Sequence, residues 1–354
     1  MSVLHLLGSG GEGGAELYFV QLVSALRPRG PDPGAATGKS PGPDQAAAIR
    51  KNPGREKALA AAGVPARTFG FGGPIDFWTR LGVSALARDV NANLLVAWMN
   101  RAARHTPRGP WTRIGRLGGY YKLKNYQGFD HLVGNTQDIV DWVVGQGWPA
   151  DKVSYIPNFA AAPDEVTPVD RASLDTPEGV PLLLGMGRLH TSKAHDVSLK
   201  ALKALPDAYL WIAGVGPLEE QLKALASSLG VLDRVRFLGW RGDASALYRT
   251  ADVCLFPSRY EPLGNVVIQA WAHGLPVVAA ESQGPKALIR DGQDGLLIPI
   301  DDEDALAART AALLADPMQR IRLIQNGHAR VEAEFSQAAV CAEWNQLFAR
   351  FGAT

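Results

Sequence analysis

The sequence predicts an α/β protein of two doubly wound, Rossmann-like domains facing a cleft. Three observations carry that expectation. Short apolar runs alternate with helix-length amphipathic segments, the pattern of parallel strands joined by crossover helices. The alternation breaks at a polar, proline-dotted stretch over residues 160–181, as an interdomain linker would, and then starts again. The residues best suited to hold a ligand fall where strands end, and open parallel sheets bind ligands at those ends.

The first domain is placed at residues 1–165. Residues 3–7 read as a strand, Gly8 to Gly14 as a tight turn, and 15–26 as a helix with Leu17, Phe19, Val20, Val23 and Leu26 on its apolar face. Residues 27–44 are rich in proline and glycine and predict a mobile loop. Within it, Gly38-Lys39-Ser40 resembles the end of a phosphate-binding loop, but Pro33 stands where the motif's first glycine belongs and no strand leads in. Strands follow at 94–98, 112–116, 131–134 and 153–158, with a helix at 136–146.

The second domain is placed at residues 166–335. It reads as strands at 182–186, 209–213, 235–238, 253–256, 277–280 and 296–299. Helices are expected at 197–205, from 217 to 230, at 244–250, from Pro262 to His273, at 304–314 and at 318–335. A last helix, within residues 336–354, carries Val340, Trp344, Leu347, Phe348 and Phe351 at helical spacing, so it is expected to cross back and bury that strip on the first domain.

Composition narrows the class. The chain has 354 residues, 46% of them hydrophobic and 20% charged, with net charge +1. That is ordinary for a soluble globular protein and gives no general pull toward nucleic acid. Cys254 and Cys341 lack metal-ligand spacing, and the histidines pair with no carboxylate cluster, so no metal site is expected. No apolar run reaches the roughly 18 residues of a membrane helix, and the start has no basic flank of a signal segment, so a cytoplasmic protein is expected.

The chemistry concentrates in the second domain. Glu261 follows a strand, and the helix expected from Pro262 would present backbone N–H groups at Gly264 and Asn265. The positive end of a helix suits a phosphate, and a fixed carboxylate beside it suits sugar hydroxyls. Gly185-Met186-Gly187-Arg188, with Lys193, sets two cations after another strand, where they would neutralise a departing diphosphate. Gly214-Val215-Gly216-Pro217 permits a tight backbone approach to a ligand. Leu238-Gly239-Trp240-Arg241 leaves main-chain groups free for a base edge.

This ordered set resembles the retaining, metal-independent nucleotide-sugar glycosyltransferases of family 4, which have the GT-B fold. The resemblance covers the second domain nearly end to end. In the first it rests on Gly13-Gly14-Ala15-Glu16 and the alternation. It implies that Arg188, Lys193 and Glu261 form the catalytic core, the two cations on the diphosphate and Glu261 on donor-sugar hydroxyls. It implies donor contacts from Gly13, Gly14, Gly187, Gly214, Gly216, Trp240, Arg241, Pro262, Leu263, Gly264, Asn265 and Gln269. A hexose, such as mannose, would pass from a nucleotide diphosphate sugar to a glycan or glycolipid acceptor, with no cofactor.

The chain departs from the family pattern at one prominent place. Gln269 stands where a second glutamate usually binds the nucleotide ribose. Glutamine keeps a carbonyl acceptor but loses the charge, which opens an alternative: a catalytically weakened sugar-nucleotide-binding partner protein. In the first domain no histidine aligns near the reacting carbon, so no catalytic base is named. Residues 90–129 contain no acid but hold Arg101, Arg104, Arg108, Arg113, Arg116, Lys122 and Lys124, interleaved with aromatics including Tyr120. Arg101, Arg116, Tyr120 and Lys122 are accordingly expected to meet an anionic acceptor or an anionic membrane surface. Arg116-Leu117-Gly118-Gly119-Tyr120-Tyr121 looks like bacterial transferases that build lipopolysaccharide core, which would place the protein peripherally on the inner face of the plasma membrane.

Overall fold

The structure is a computed structural model that describes residues 2–11, 13–27, 44–73, 75–160 and 165–352. The loop expected at 27–44, with Gly38-Lys39-Ser40, falls almost wholly outside the described residues. The chain divides into two compact units. One comprises Met1–Asn158 with Gln337–Thr354, the other Phe159–Ser336.

The first unit is built on β1 (Ser2–Leu7), α1 (Gly14–Ala25), β2 (Asp44–Arg50), α2 (Pro53–Ala61), β3 (Ala66–Phe69), α3 (Phe77–Asp89), β4 (Leu94–Trp98), α4 (Met99–His105), β5 (Thr112–Leu117), β6 (His131–Gly134), α5 (Gln137–Gly145) and β7 (Val153–Tyr155). Its seven strands run parallel in the order β3-β2-β1-β4-β5-β6-β7. The order reverses between β1 and β4, the switch point of a doubly wound sheet. All six residues of β1 are buried, as expected for a central strand covered on both faces. Leu4, Leu6, Leu95, Ala97, Val83 and Leu132 form the core on one face. On the other, His5, Phe19, Tyr18 and Trp98 pack ring against ring.

Five of these elements, β2, α2, β3, α3 and α4, are not anticipated by the apolar pattern. β2 is Asp-Gln-Ala-Ala-Ala-Ile-Arg, whose small residues lack strand preference and are nonetheless buried in the sheet. β3 is four residues long and largely exposed. α2 and α3 did carry capping signals: Asn52 accepts from the Arg55 N–H at 2.9 Å and Asp76 from the Thr79 N–H at 3.0 Å.

The second unit is built on β8 (Leu182–Met186), α6 (His195–Lys203), β9 (Tyr209–Ala213), α7 (Glu219–Ser228), β10 (Val235–Gly239), α8 (Ala244–Thr250), β11 (Val253–Phe256), α9 (Asn265–Ala272), β12 (Val277–Ala280), α10 (Gln283–Leu288), β13 (Leu296–Ile298), α11 (Glu303–Ala315) and α12 (Pro317–Arg330). Six parallel strands lie in the order β10-β9-β8-β11-β12-β13, reversing between β8 and β11. The helix expected over 318–335 is α12 followed by a π-helical turn, Val331–Phe335.

The polar stretch expected as a linker is, from residue 165 on, a strap on this unit. The Val169 N–H donates to Thr250 Oγ1 at 2.8 Å, the Arg171 guanidinium to the Val180 and Thr250 carbonyls at 2.8 and 2.9 Å, and Trp211 Nε1 to Thr176 Oγ1 at 2.8 Å. The final helix, α13 (Gln337–Gly352), belongs to the first unit and buries Val340, Trp344, Leu347 and Phe348. Phe348 lies against His5 of β1.

Candidate functional site

The ends of β8, β9 and β10 in the second unit are laced together by main chain. The Gly187 N–H donates to the Ala213 carbonyl at 3.0 Å, Leu189 to Val215 at 3.1 Å, and Gly214 to Gly239 at 2.8 Å. Gly187 (φ +139°) and Gly214 (φ +155°) adopt backbone conformations that side chains resist. A Cβ on Gly214 would overlap the Gly187 carbonyl, and one on Gly216 would overlap that of Leu189. The close approach expected between this glycine pair and a ligand is therefore, in this structure, an approach to the chain's own Gly187-Arg188-Leu189 loop. That loop presents Arg188, exposed and without an ion pair among the described residues.

Lys193 closes a short 3-10 turn, Thr191–Lys193, ahead of α6. Arg259 fixes the turn from the β11 side. Its guanidinium donates to the Thr191 carbonyl at 2.9 Å and to both Asp196 oxygens at 2.9 and 2.6 Å, and reaches Asp301 at 2.5 Å. Burial alone would raise the Asp196 carboxyl, but the Arg259 hydrogen bonds and charge outweigh it and hold the group below its usual range. His195, at the start of α6, is buried and pushed down to about 4 by desolvation, so it is neutral at pH 7. Sequence reasoning passed over Arg259, although it sits two residues before Glu261.

Lys193 and Glu261 meet as an ion pair, the carboxylate the more buried of the two. The Lys193 ammonium also lies 5.5 Å from the Phe256 ring centroid. The helix expected from Pro262 begins instead at Asn265, behind Gly264 in the left-handed region (φ +85°). Only glycine enters that conformation cheaply, so Pro262 and Leu263 remain in the loop. The Gly264 N–H, expected to be free, donates to Glu261 Oε1 at 3.3 Å. Glu261 thus joins the lysine to the first turn of α9. Its own carbonyl accepts from the Gly284 N–H at 2.7 Å, and a Cβ on Gly284 would lie 2.5 Å from the Leu263 carbonyl carbon. Gly284 is a further supporting residue, and its only sequence signal was Gly-Pro after a strand.

Around this centre, Trp240 is 72% exposed after β10. Arg241 forms a fork with Asp243 at 2.7 and 2.5 Å. Gln269 is exposed on α9 and its Oε1 accepts from the buried Tyr248 hydroxyl at 3.2 Å. The second unit therefore gathers Arg188, Lys193 and Glu261 at the ends of neighbouring strands β8 and β11. Among the described residues no group of three or more His, Cys, Asp or Glu side chains is arranged to hold a metal.

In the first unit Gly13 caps α1 and its Cβ position is crowded by Glu16, whereas Gly14 has open space around it. Of the basic stretch, Arg101 and Lys122 are exposed and Tyr120 is half-buried with its hydroxyl on Asp138. Arg116 is a correction: it is 2% exposed and belongs to no surface. It lies on central strand β5 with its guanidinium 4.6 Å from the Trp98 ring centroid and 5.1 Å from that of Tyr18, and it donates to Asn158.

A family model described as glycosyl transferases group 1 matches residues 166–330. The chain is similar to a lipopolysaccharide core biosynthesis glycosyltransferase, LpsE, of Rhizobium meliloti (strain 1021), 36% identical over 352 residues and covering 99% of each chain. Its fold is similar to that of a glycosyltransferase from Rickettsia africae ESF-5, with TM-score 0.85 at 16% identity, over 99% of this chain and 98% of that one. It is also similar to Anabaena Alr3699/HepE, solved in complex with UDP, with TM-score 0.80 at 20% identity, over 99% of this chain and 100% of that one. The two Rossmann-like units are those of the GT-B fold.

Proposed function

The chain belongs to the group 1 glycosyl transferases and is a glycosyltransferase, and from that premise we propose a retaining, metal-independent enzyme that moves a hexose from a nucleotide diphosphate sugar to a lipopolysaccharide core acceptor. The observation that carries this reading is the junction of Lys193, Glu261 and the start of α9 at the strand ends of the second unit. In the proposal a donor diphosphate takes over Lys193 and recruits the exposed Arg188, and the released Glu261 turns to donor-sugar hydroxyls. Two fixed cations stabilise the leaving diphosphate as its charge grows, the role a metal would otherwise fill. The leaving phosphate accepts the acceptor's proton, so front-face transfer needs no protein base. Trp240, Arg241, Asn265 and Gln269 serve the nucleoside, and Gly13 and Gly14 serve the phosphates. The acceptor class follows the name of the Rhizobium relative.

The test is a panel of nucleotide sugars titrated by calorimetry, followed by NMR of the product's anomeric configuration. Binding of one donor in the absence of divalent metal, with the anomeric configuration retained in the product, is expected. An inverted product, or donor binding that requires a divalent cation, overturns the reading.

The proposed workplace is the cytoplasmic face of an anionic membrane. Among the described residues no helix is long and apolar enough to cross one. The start of α3 and the turn before it nevertheless expose Ile75, Phe77, Trp78 and Leu81 at 85%, 53%, 71% and 58%. The Arg80 guanidinium beside them donates to the Arg104 carbonyl at 2.5 Å, next to the basic stretch. Exposed aromatics flanked by cations suit the headgroup region. The double variant W78A/L81A is expected to lose most binding to anionic vesicles while donor binding is kept; equal binding of wild type to neutral and anionic vesicles counts against an anionic surface, and binding to neither counts against a membrane role.

A further inference from the structure

A second cationic site lies in the first unit, at the switch point of its sheet. A cavity of about 690 Å³ opens where β1, β2 and β4 end, with Ser9, Gly10 and Gly11 on one wall and Arg50, Lys51 and Arg101 around it. Among the described residues that line it there is no carboxylate. None of the three cations forms an ion pair among the described residues. Gly8 makes room for Arg101, since a Cβ there would sit 2.9 Å from the arginine's Cγ.

The wall has been stripped of acceptors. Arg55, buried at the start of α2, donates to the carbonyls of Ser9 at 2.7 Å and Gly11 at 2.6 Å. Asn52 Nδ2 donates to the carbonyl of Gly10 at 3.4 Å. The nearby Glu16 carboxylate accepts the Ser9 hydroxyl. Every carbonyl of the Ser9-Gly10-Gly11 loop is thus engaged from behind. Beneath the cavity, buried Arg116 lies over the lining Trp98 and has no carboxylate partner among the described residues, and its Nε has no hydrogen-bond partner. Positive charge without a counter-ion, on a wall whose acceptors are occupied, favours an anion over a neutral hydroxyl cluster.

We propose that this cavity receives an anionic group, a phosphate or a carboxylate, borne on the sugar acceptor, and that Arg50, Lys51 and Arg101 hold it. The proposal deepens the glycosyltransferase reading and rests on it for the word acceptor. Recognition of the anion selects which sugar is extended: an acceptor lacking the charge leaves three cations unpaired around it.

The test uses the full chain and three probes, mannose 6-phosphate, glucuronic acid and neutral methyl mannoside, followed by saturation-transfer NMR. Binding of one or both charged probes is expected, and which of them binds tells phosphate from carboxylate. The R50A/K51A variant, altered at two exposed positions, is expected to weaken that binding at least about tenfold and to bind UDP as the wild type does. Equal signals from neutral and charged probes overturn the proposal. So do unchanged binding in R50A/K51A, and no charged probe binding at about 10 mM, which would leave less affinity than a single weak contact supplies. Competition by UDP that disappears in R50A/K51A would make the cavity a diphosphate site and also overturns it. Failure of the glycosyltransferase reading is distinguishable, because it appears as no binding of any nucleotide diphosphate with the sugar-anion results unaffected.

Discussion

Arg188 and Lys193 are both cations of the second unit, yet their surroundings separate them. Arg188 is exposed and without an ion pair among the described residues, whereas Lys193 neutralises a half-buried carboxylate. R188A is therefore expected to leave the melting temperature unchanged and to lower kcat at least about tenfold, the scale of removing a donor to developing charge. K193A is expected to lower kcat similarly and also to destabilise, because Glu261 loses its partner. Calorimetric melting with initial rates separates the two, and wild-type rates in both variants would exclude them from the reaction. Gln269 permits a sharper comparison. Its contact is a hydroxyl that donates equally well to a carboxylate, so Q269E is expected to fold normally. If the glutamine weakens the hold on a ribose, Q269E strengthens donor binding by about 1–3 kcal/mol, read by titration. A wild type that transfers nothing and a Q269E that transfers would instead mark the natural protein as a binder.

Glycines that look alike in sequence differ at the scale of the elements. Gly214 cannot accept a Cβ without displacing the Gly187 carbonyl, so G214A is expected to cost at least about 2 kcal/mol and to shift Arg188 with it. Gly14 opens α1 with space around it. G14A is expected to keep or raise stability by about 0.5–1 kcal/mol, so any loss of activity there reports on a ligand. Denaturant titration of the two variants decides. The same contrast shows what the sequence could reveal. β4, β6, β8, β9, β11 and β12 are legible as runs of branched and aromatic residues, because a strand buried on both faces must be continuously apolar. β2 is not legible, since three alanines in its middle carry little strand preference. α3 is not, since Phe77, Trp78 and Leu81 face solvent and break the apolar stripe. In the candidate site, Glu261, Lys193 and Arg188 stood out in the sequence by their places after strands. Arg259, Gly284 and the Arg50–Lys51 cavity were not, because each depends on which distant segments the sheet order brings together.

Each unit of the whole molecule buries a neutral histidine, His5 on central strand β1 of the first and His195 at the start of α6 in the second, both pushed down to about 4 by desolvation. The unfolded chain would protonate them near 6.5. Between about 6.5 and 4 the unfolded state binds the extra protons, so stability is full above that window and is lost as pH falls through it. The loss approaches about 3 kcal/mol per histidine at the lower end. Denaturant midpoints measured at pH 7 and pH 5 are expected to fall on acidification, and H5Q or H195Q to flatten the dependence of its own unit in part, since burial also pushes His131 of the first unit down to about 4 and lowers His273 of the second. A midpoint that does not move between those pH values excludes buried neutral imidazoles.

The chain leaves the first unit after Asn158 and returns to it at Gln337, and the Ala160 N–H donates to the Phe335 carbonyl at 3.1 Å where the second unit begins and ends. The second unit is thus an insertion between two segments of the first. Because α13 lies beyond the whole second unit in sequence, the face of the first unit where Phe348 lies against His5 is covered only by chain that follows that unit. In vectorial synthesis the enclosed lobe therefore has all its residues in hand before the enclosing one does.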